Sequence, residues 1–452
     1  MSSSTHPKRG HRHNGTNNIH VAAAAAAAAN ELSPWASLHR DLVELIGWRV
    51  LADDLLDYVR FRAVCKNWRS KTMCPRGRSI TDPRFHPRRW MMLPEGHNLH
   101  PGHGKLRGYI RFFNLSTGTI VRVRLPLFKN HCILDSVDGI LVLQRDHDTA
   151  IRLLHPFTSD IAEFPALETL LEHVDPEVHK SWKLPSLREV QCTSISVNSG
   201  GMITVMMLLS GMLTAVFANS DDQLWRVSPE GLVCNGYMTL PFRGKIYKMD
   251  RTVTGGVHIL QIDPPQPREK NPDSSSSQPT ETLVATFPSS PSLWFSLVEC
   301  NSEVLLLAMN HPGQPRSVYR LTDLMMKRVV PFTSIGNNAL FMGDRTLCVS
   351  AKAFPGIVGD TFVFEHETCL AQYDFSRGTV SPASDVAFHR GHIARPVTIF
   401  YHIYTCCFPK LWNKGLIMHP ELFEGETSST WRVKRKWREG VSDLDTFAIF
   451  GG

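Results

Sequence analysis

One module recurs along the chain and limits what it can fold into. Residues 111–126 read RFFNLSTGTIVRVRLP, 151–165 IRLLHPFTSDIAEFP, 215–229 AVFANSDDQLWRVSP, 318–331 VYRLTDLMMKRVVP and 371–382 AQYDFSRGTVSP. Each copy is an apolar strand, a turn of Ser, Thr, Asp or Gly, a second strand and a proline. Those turn residues accept tight backbone conformations, and proline cannot continue a ladder, so each copy predicts a β-hairpin. A further strand pair precedes several copies, as in residues 132–143 around Asp138-Gly139, a dipeptide suited to a two-residue hairpin turn. Sheets repeated in this way, with loops of unequal length between them, predict a β-propeller. A β-sandwich with a smaller second sheet is the alternative.

Two stretches test that reading. No charged residue lies between Glu189 and Asp221, a length that could cross a bilayer. Thr204, Ser210, Gly211 and Thr214 interrupt it, and the Ser-Gly pair splits it into two short apolar halves. Two buried strands joined by a tight turn fit better, so no membrane span is expected. Residues 263–291 are rich in proline and carry Ser274 to Ser277, which reads as a disordered insertion between strands.

Residues 34–71 have a different period. Leu38, Leu42, Leu45, Ile46 and Val50 form one apolar stripe of an α-helix, with Asp41 in its first turn. Asp53 is placed to cap a short second helix carrying Leu55, Leu56 and Val59. Phe61, Val64, Cys65 and Trp68 repeat at i, i+3, i+4 and i+7 and predict a third. Three such helices carry more apolar surface than so small a unit can bury alone. Part of that surface is therefore expected to face another protein.

These residues resemble an F-box. The resemblance rests on Leu38, Asp41-Leu42, Leu45-Ile46, Asp54-Leu55-Leu56 and the run Arg60-Phe61-Arg62-Ala63-Val64-Cys65-Lys66, closing on Trp68-Arg69. His39 stands where the family usually has proline, which would preset the first helical turn. The later run SVDGILVLQ through IRLLHPFTSDIAEFP resembles the kelch-like domain of unknown function that follows the F-box in many plant F-box proteins. His155 replaces the Asn usual there, and Ser159-Asp160 the Gly. Residues 334–341 and Ala353-Phe354-Pro355 share the likeness, which runs from about Asp82 to Arg395.

The fold class expected is thus α+β multidomain, a small three-helix F-box followed by a mainly-β, propeller-like domain. The expected boundaries are a low-complexity tail over 1–33, the F-box over 34–72, a connector over 73–107 that buries Phe85, Trp90 and Met91, the β domain over 108–400 and a poorly defined tail over 401–452. Residues 397–408 read as a closing strand, with Cys406 and Cys407 as buried thiols. The resemblance implies a substrate-recognition subunit of a Skp–cullin–F-box ubiquitin ligase. The F-box would dock on a Skp-type adaptor, and through it a cullin, while the propeller holds a target protein. Leu38, Leu42, Leu45, Ile46, Val50, Leu55, Leu56, Phe61, Val64, Cys65 and Trp68 would then form the F-box core or its adaptor-facing surface.

Composition limits the rivals. Sixteen of the 49 Lys and Arg but only two of the 42 acidic residues fall between Arg60 and Lys129, so the basic character is local. A local field of this kind speeds encounter with an acidic partner, and the family's adaptor is acidic. Nucleic acid is the competing partner, though no aromatic-basic platform accompanies the stretch. The cluster WRVKRKWR over 431–438 is a second basic feature. None of the ten cysteines forms a metal-type spacing, and Met1 to Gly10 has no apolar signal core. Reduced thiols in the cytoplasm or nucleus are expected. No Gly-rich phosphate loop or GxSxG elbow occurs, and His97, His100 and His103 sit beside Pro101 and Gly102. An enzyme, a cofactor and a metal are therefore not expected; such a ligase subunit works by proximity.

Overall fold

The computed structural model describes residues 35–93, 108–174, 186–209, 212, 214–228, 239–252, 256–265, 278–288, 293–311, 314–366, 369–383, 388–389, 392–393 and 399–408. The low-complexity tail, the three histidines at 97–103 and the 431–438 cluster lie outside them. The chain divides into two units, Met1–Pro75 and Arg76–Gly452.

The first unit holds helices α1 (Arg40–Asp53), α2 (Leu55–Arg62) and α3 (Lys66–Ser70). Asp54, not Asp53, caps α2: its Oδ1 accepts the backbone N–H groups of Leu56 at 2.8 Å and Asp57 at 3.3 Å. The third helix is also shorter than its apolar period implied. Phe61 ends within α2, and Cys65 breaks the helix in an extended conformation, its sulfur accepting the Trp68 N–H at 3.4 Å. Phe61 and Trp68 still meet, with ring centroids 4.5 Å apart, because the break lets the two short helices fold face to face.

The second unit is a six-bladed β-propeller. The first sheet orders β1 (Trp90–Met92), β2 (Tyr109–Asn114) and β3 (Ile120–Arg124), so the β domain begins inside the expected connector. Phe85, Trp90 and Met91 are buried as expected. The second sheet runs β4 (His131–Val137), β5 (Ile140–Arg145), β6 (Ala150–Leu154) and β7 (Ile161–Ala166). The third runs β8 (Val190–Val197), β9 (Ile203–Leu209), β10 (Val216–Asn219) and β11 (Arg226–Val227). The fourth runs β12 (Thr239–Phe242), β13 (Lys245–Arg251), β14 (Val257–Asp263) and β15 (Thr280–Phe287), and the fifth β16 (Trp294–Cys300), β17 (Glu303–His311) and β18 (Gln314–Arg320). In the sixth, β19 (Asn338–Phe341) lies between β20 (Leu347–Ser350) and β21 (Thr361–His366), pairing parallel with β21; β22 (Cys369–Asp374) and β23 (Thr379–Pro382) follow. A short ribbon joins β24 (Phe388–His389) to β25 (His392–Ile393).

Four copies of the repeat are the outer hairpins β2–β3, β6–β7, β10–β11 and β22–β23 of their sheets. The fourth copy departs. After β18 it enters a short helix, α4 (Leu321–Met325), and only Phe332 returns to bridge Val318. Leu321 and Leu324 lie one helical turn apart and both sink into the core beside Phe295 and Leu306, which a strand would not allow. The insertion after Asp263 is shorter than expected: Thr280–Phe287 is the fourth strand of its sheet, its Thr and Val content suiting a pleated surface.

The uncharged stretch is the hairpin β9–β10, paired from Val216↔Met207 to Asn219↔Thr204. Every residue of β9 is buried. Ile203, Val205, Met207 and Leu209 enter the core shared with the second sheet, whereas Met206 and Leu208 face Ile246 and Ile262 of the fourth. A strand covered on both faces reads as continuously apolar. No helix among the described residues is long and apolar enough to cross a membrane.

The ring closes between the sixth sheet and the first. Phe354 stacks near Phe113 at 5.1 Å, and the Ser350 N–H donates to the Leu115 carbonyl at 3.2 Å. Residues expected to form a closing strand make helix α5 (Ile399–Cys406) instead. Phe400, Tyr401, Ile403, Tyr404 and Cys406 are all buried, so this short helix is sunk in the domain; its aromatic and β-branched residues suit a strand equally well in the sequence. The Cys406 thiol points at the Met92 carbonyl of the first sheet and the Cys407 thiol at the Phe341 carbonyl of the sixth. Both are buried thiols, as expected, and burial pushes both up.

Candidate functional site

The core of the helical unit is built from Val43, Gly47 and Leu51, one residue per turn of α1, with Leu55 and Tyr58 of α2. Gly47 is small for a reason: a Cβ there would lie 3.1 Å from Thr72 and 3.4 Å from the rings of Phe61 and Tyr58. The Tyr58 hydroxyl donates to the Met73 carbonyl at 2.8 Å. The segment before α1 is tied to α3, through Trp68 Nε1 donating to the Trp35 carbonyl at 2.8 Å and Lys71 Nζ to the Leu38 carbonyl at 2.6 Å. His39 makes no side-chain cap, yet its carbonyl still accepts the Val43 N–H and α1 forms.

The predicted stripe faces outward. Leu42 is 50% exposed, Leu45 52%, Ile46 36% and Val64 56%. Of the eleven predicted residues only Leu55 is fully buried; Leu38, Val50, Leu56, Phe61, Cys65 and Trp68 are half-buried. Leu42, Leu45 and Ile46 share one face of α1. Val43, Gly47 and Leu51, which the sequence reading passed over, hold the core. Helix α1 is apolar on two faces, and the longer row belongs to the outside; the i, i+4, i+8 spacing of the core row was the signal available. A small unit that exposes aliphatic side chains on one helix face has a surface suited to a protein partner.

In the propeller the inner strands β4, β12 and β16 each turn into the next strand through two residues with positive φ. These are Asp138-Gly139 at 52° and 81°, Arg243-Gly244 at 51° and 77°, and Asn301-Ser302 at 53° and 62°. The turns meet at one end: Arg243 Nη2 donates to the Ser302 carbonyl at 3.3 Å, and a Cβ on Gly244 would lie 2.9 Å from Ser196 Cβ. At Gly139 a Cβ would sit 2.2 Å from the Pro87 carbonyl oxygen. That close approach brings Arg88 Nε within 3.6 Å of the Asp138 carboxylate and His86 Nδ1 within 3.9 Å. Burial raises the Asp138 carboxyl, but His86 and Arg88 outweigh it and hold the group below the usual range.

Arg345, in the loop before β20, reaches Asp135 and the Ser136 carbonyl of β4. Glu299, on β16, is open to solvent yet hemmed in by protein; burial, with the Asp138 charge adding, pushes its carboxyl up to about 6. Arg88, Arg243, Asp138 and Glu299 thus gather at these turns, both charge signs side by side, while Asp135 is almost fully buried against Arg345. Among the described residues no group of three or more His, Cys, Asp and Glu is placed to hold a metal ion.

Fold and mouth together define a β-propeller of the kind suited to protein–protein interaction. Residues 112–389 match the family model of the KIB1-4 beta-propeller, and the chain belongs to that family. A comparison with curated proteins gives no match.

Proposed function

We propose that this protein is the substrate-recognition subunit of a Skp–cullin–F-box ubiquitin ligase. The exposed row of Leu42, Leu45 and Ile46, with Val64, carries the reading, because it is the surface an adaptor would cover. The F-box resemblance over residues 38–69 names the kind of adaptor, a Skp-type protein that joins a cullin. The propeller supplies the other half, a rigid platform whose mouth and loops hold a target protein. Such a subunit accelerates transfer by raising the local concentration of target near a charged conjugating enzyme, and needs no catalytic residue of its own.

The test is capture of the full chain by a purified Skp-type adaptor at low and high salt. An apolar contact predicts capture that persists in high salt. Capture that disappears as salt rises would instead assign binding to the basic stretch over 60–129 and remove the apolar face from the interface.

A further inference from the structure

Two cysteines from different blades touch. Cys300 ends β16, the inner strand of the fifth sheet, and Cys348 lies in β20, the inner strand of the sixth. Their sulfurs are 3.3 Å apart, with the Cys348 thiol donating to Cys300. Both are free thiols; Cys300 is buried and Cys348 half-buried. A disulfide has its sulfurs about 2 Å apart, so closure needs them to approach by a little over about 1 Å, within reach of side-chain rotation.

We propose that Cys300 and Cys348 are a redox-modification site, joined by hydrogen peroxide into a disulfide that staples the fifth blade to the sixth. This does not depend on the ligase reading. The Cys348 thiol stabilises a negative Cys300 sulfur and holds it below the usual thiol range, while that same bond and burial push Cys348 up. Because the Cys348 S–H donates to it at 3.3 Å, Cys300 is assigned as the attacking sulfur. Its thiolate attacks one peroxide oxygen and the O–O bond breaks. Cys300 becomes a sulfenic acid, and the departing hydroxide takes a proton to become water. Cys348 then attacks the sulfenic sulfur, the S–O bond breaks and a second water leaves with the Cys348 proton. The two sulfurs lose two electrons and the two peroxide oxygens gain them.

The staple would bear on the mouth. Cys300 follows Glu299 and precedes the Asn301-Ser302 turn, and the loop it closes contains β17, β18, α4 and β19. Constraining that loop in the unfolded chain raises stability, so the oxidised protein is expected to unfold at a higher temperature than the reduced one.

The experiment treats the intact full-length protein with hydrogen peroxide, alkylates the remaining thiols after denaturation and maps the peptides by mass spectrometry. The expected product is one linked peptide pair containing Cys300 and Cys348, two hydrogens lighter than the separate peptides and released by dithiothreitol. In Cys348→Ser, dimedone should label Cys300 as sulfenic acid, and the oxidised-against-reduced shift in Tm should vanish. Recovery of both cysteines alkylated or as separate sulfinic acids, or a Tm shift that persists in Cys348→Ser, would overturn the proposal.

Discussion

The two faces of α1 make opposite predictions, and three substitutions separate them. Val43 is fully buried, and Val43→Ala removes two carbons and leaves a cavity, a cost of about 2 kcal/mol. Opening of the helical unit should then be about 30-fold more frequent. Leu42 and Leu45 are half exposed. Leu42→Lys with Leu45→Lys keeps an aliphatic stem over the covered half and sends the ammonium into water, so stability should change by less than about 0.5 kcal/mol. A partner covering the exposed halves would lose about 1 kcal/mol of apolar burial at each position, about 30-fold in affinity together, before any cost of desolvating two ammonium groups. Two readouts on the full chain decide: hydrogen exchange of the α1 amides, and titration calorimetry with a Skp-type adaptor. Val43→Ala should speed exchange; the double lysine variant should leave exchange alone and weaken binding. If the lysine variant speeds exchange as much as Val43→Ala, the row is core and the reasoning fails. It fails equally if adaptor affinity is unchanged.

Three further predictions concern the propeller. Gly139→Ala places a methyl group 2.2 Å from the Pro87 carbonyl oxygen at φ 81°, so the Arg88–Asp138 pair must separate and the thermal midpoint of the β unit should fall. An unchanged midpoint by calorimetry would refute the close approach. Arg345→Ala leaves the almost fully buried Asp135 carboxylate without its guanidinium, a loss of about 3 kcal/mol or more by urea denaturation; an effect below about 1 kcal/mol would mean that water reaches Asp135. His155 is buried, and desolvation lowers its imidazole to about 4 from 6.5. The unfolded chain then binds the extra proton between those values, so stability is full above about pH 6.5 and falls as pH drops toward 4, by about 3 kcal/mol. His155→Asn should flatten that part of the pH profile, and an identical profile would exclude His155 as its source.

The legibility of this chain follows from how local each signal is. The hairpins were readable because a turn and its flanking strands lie within about fifteen residues, and Asp138-Gly139 makes the turn its dipeptide predicts. Which sheet each hairpin joined was not local. The strand Thr280–Phe287 was hidden by the prolines around it, and helix α5 by its short length and its aromatic and β-branched residues, which suit a strand as well. His155 shows why a departure from a family pattern can be silent. Its Nδ1 accepts the N–H groups of Phe157 and Thr158, as an Asn oxygen would, while Nε2 donates to the Phe85 carbonyl. In the helical unit, periodicity picked out the row of Leu42, Leu45 and Ile46 and passed over Val43, Gly47 and Leu51, because which row faces inward depends on Tyr58 and Thr72 arriving from elsewhere.

The position of α5 also sets a timetable for synthesis. Residues 399–407 emerge from the ribosome after all six sheets, yet they bridge Met92 of the first sheet and Phe341 of the sixth through Cys406 and Cys407. Until then the Met92 flank of the first blade waits without its helix, through more than three hundred residues of elongation. At roughly 5–20 residues per second that is a wait of tens of seconds. Nascent-chain shielding of this flank, or its absence, would govern how much of the protein reaches a closed ring.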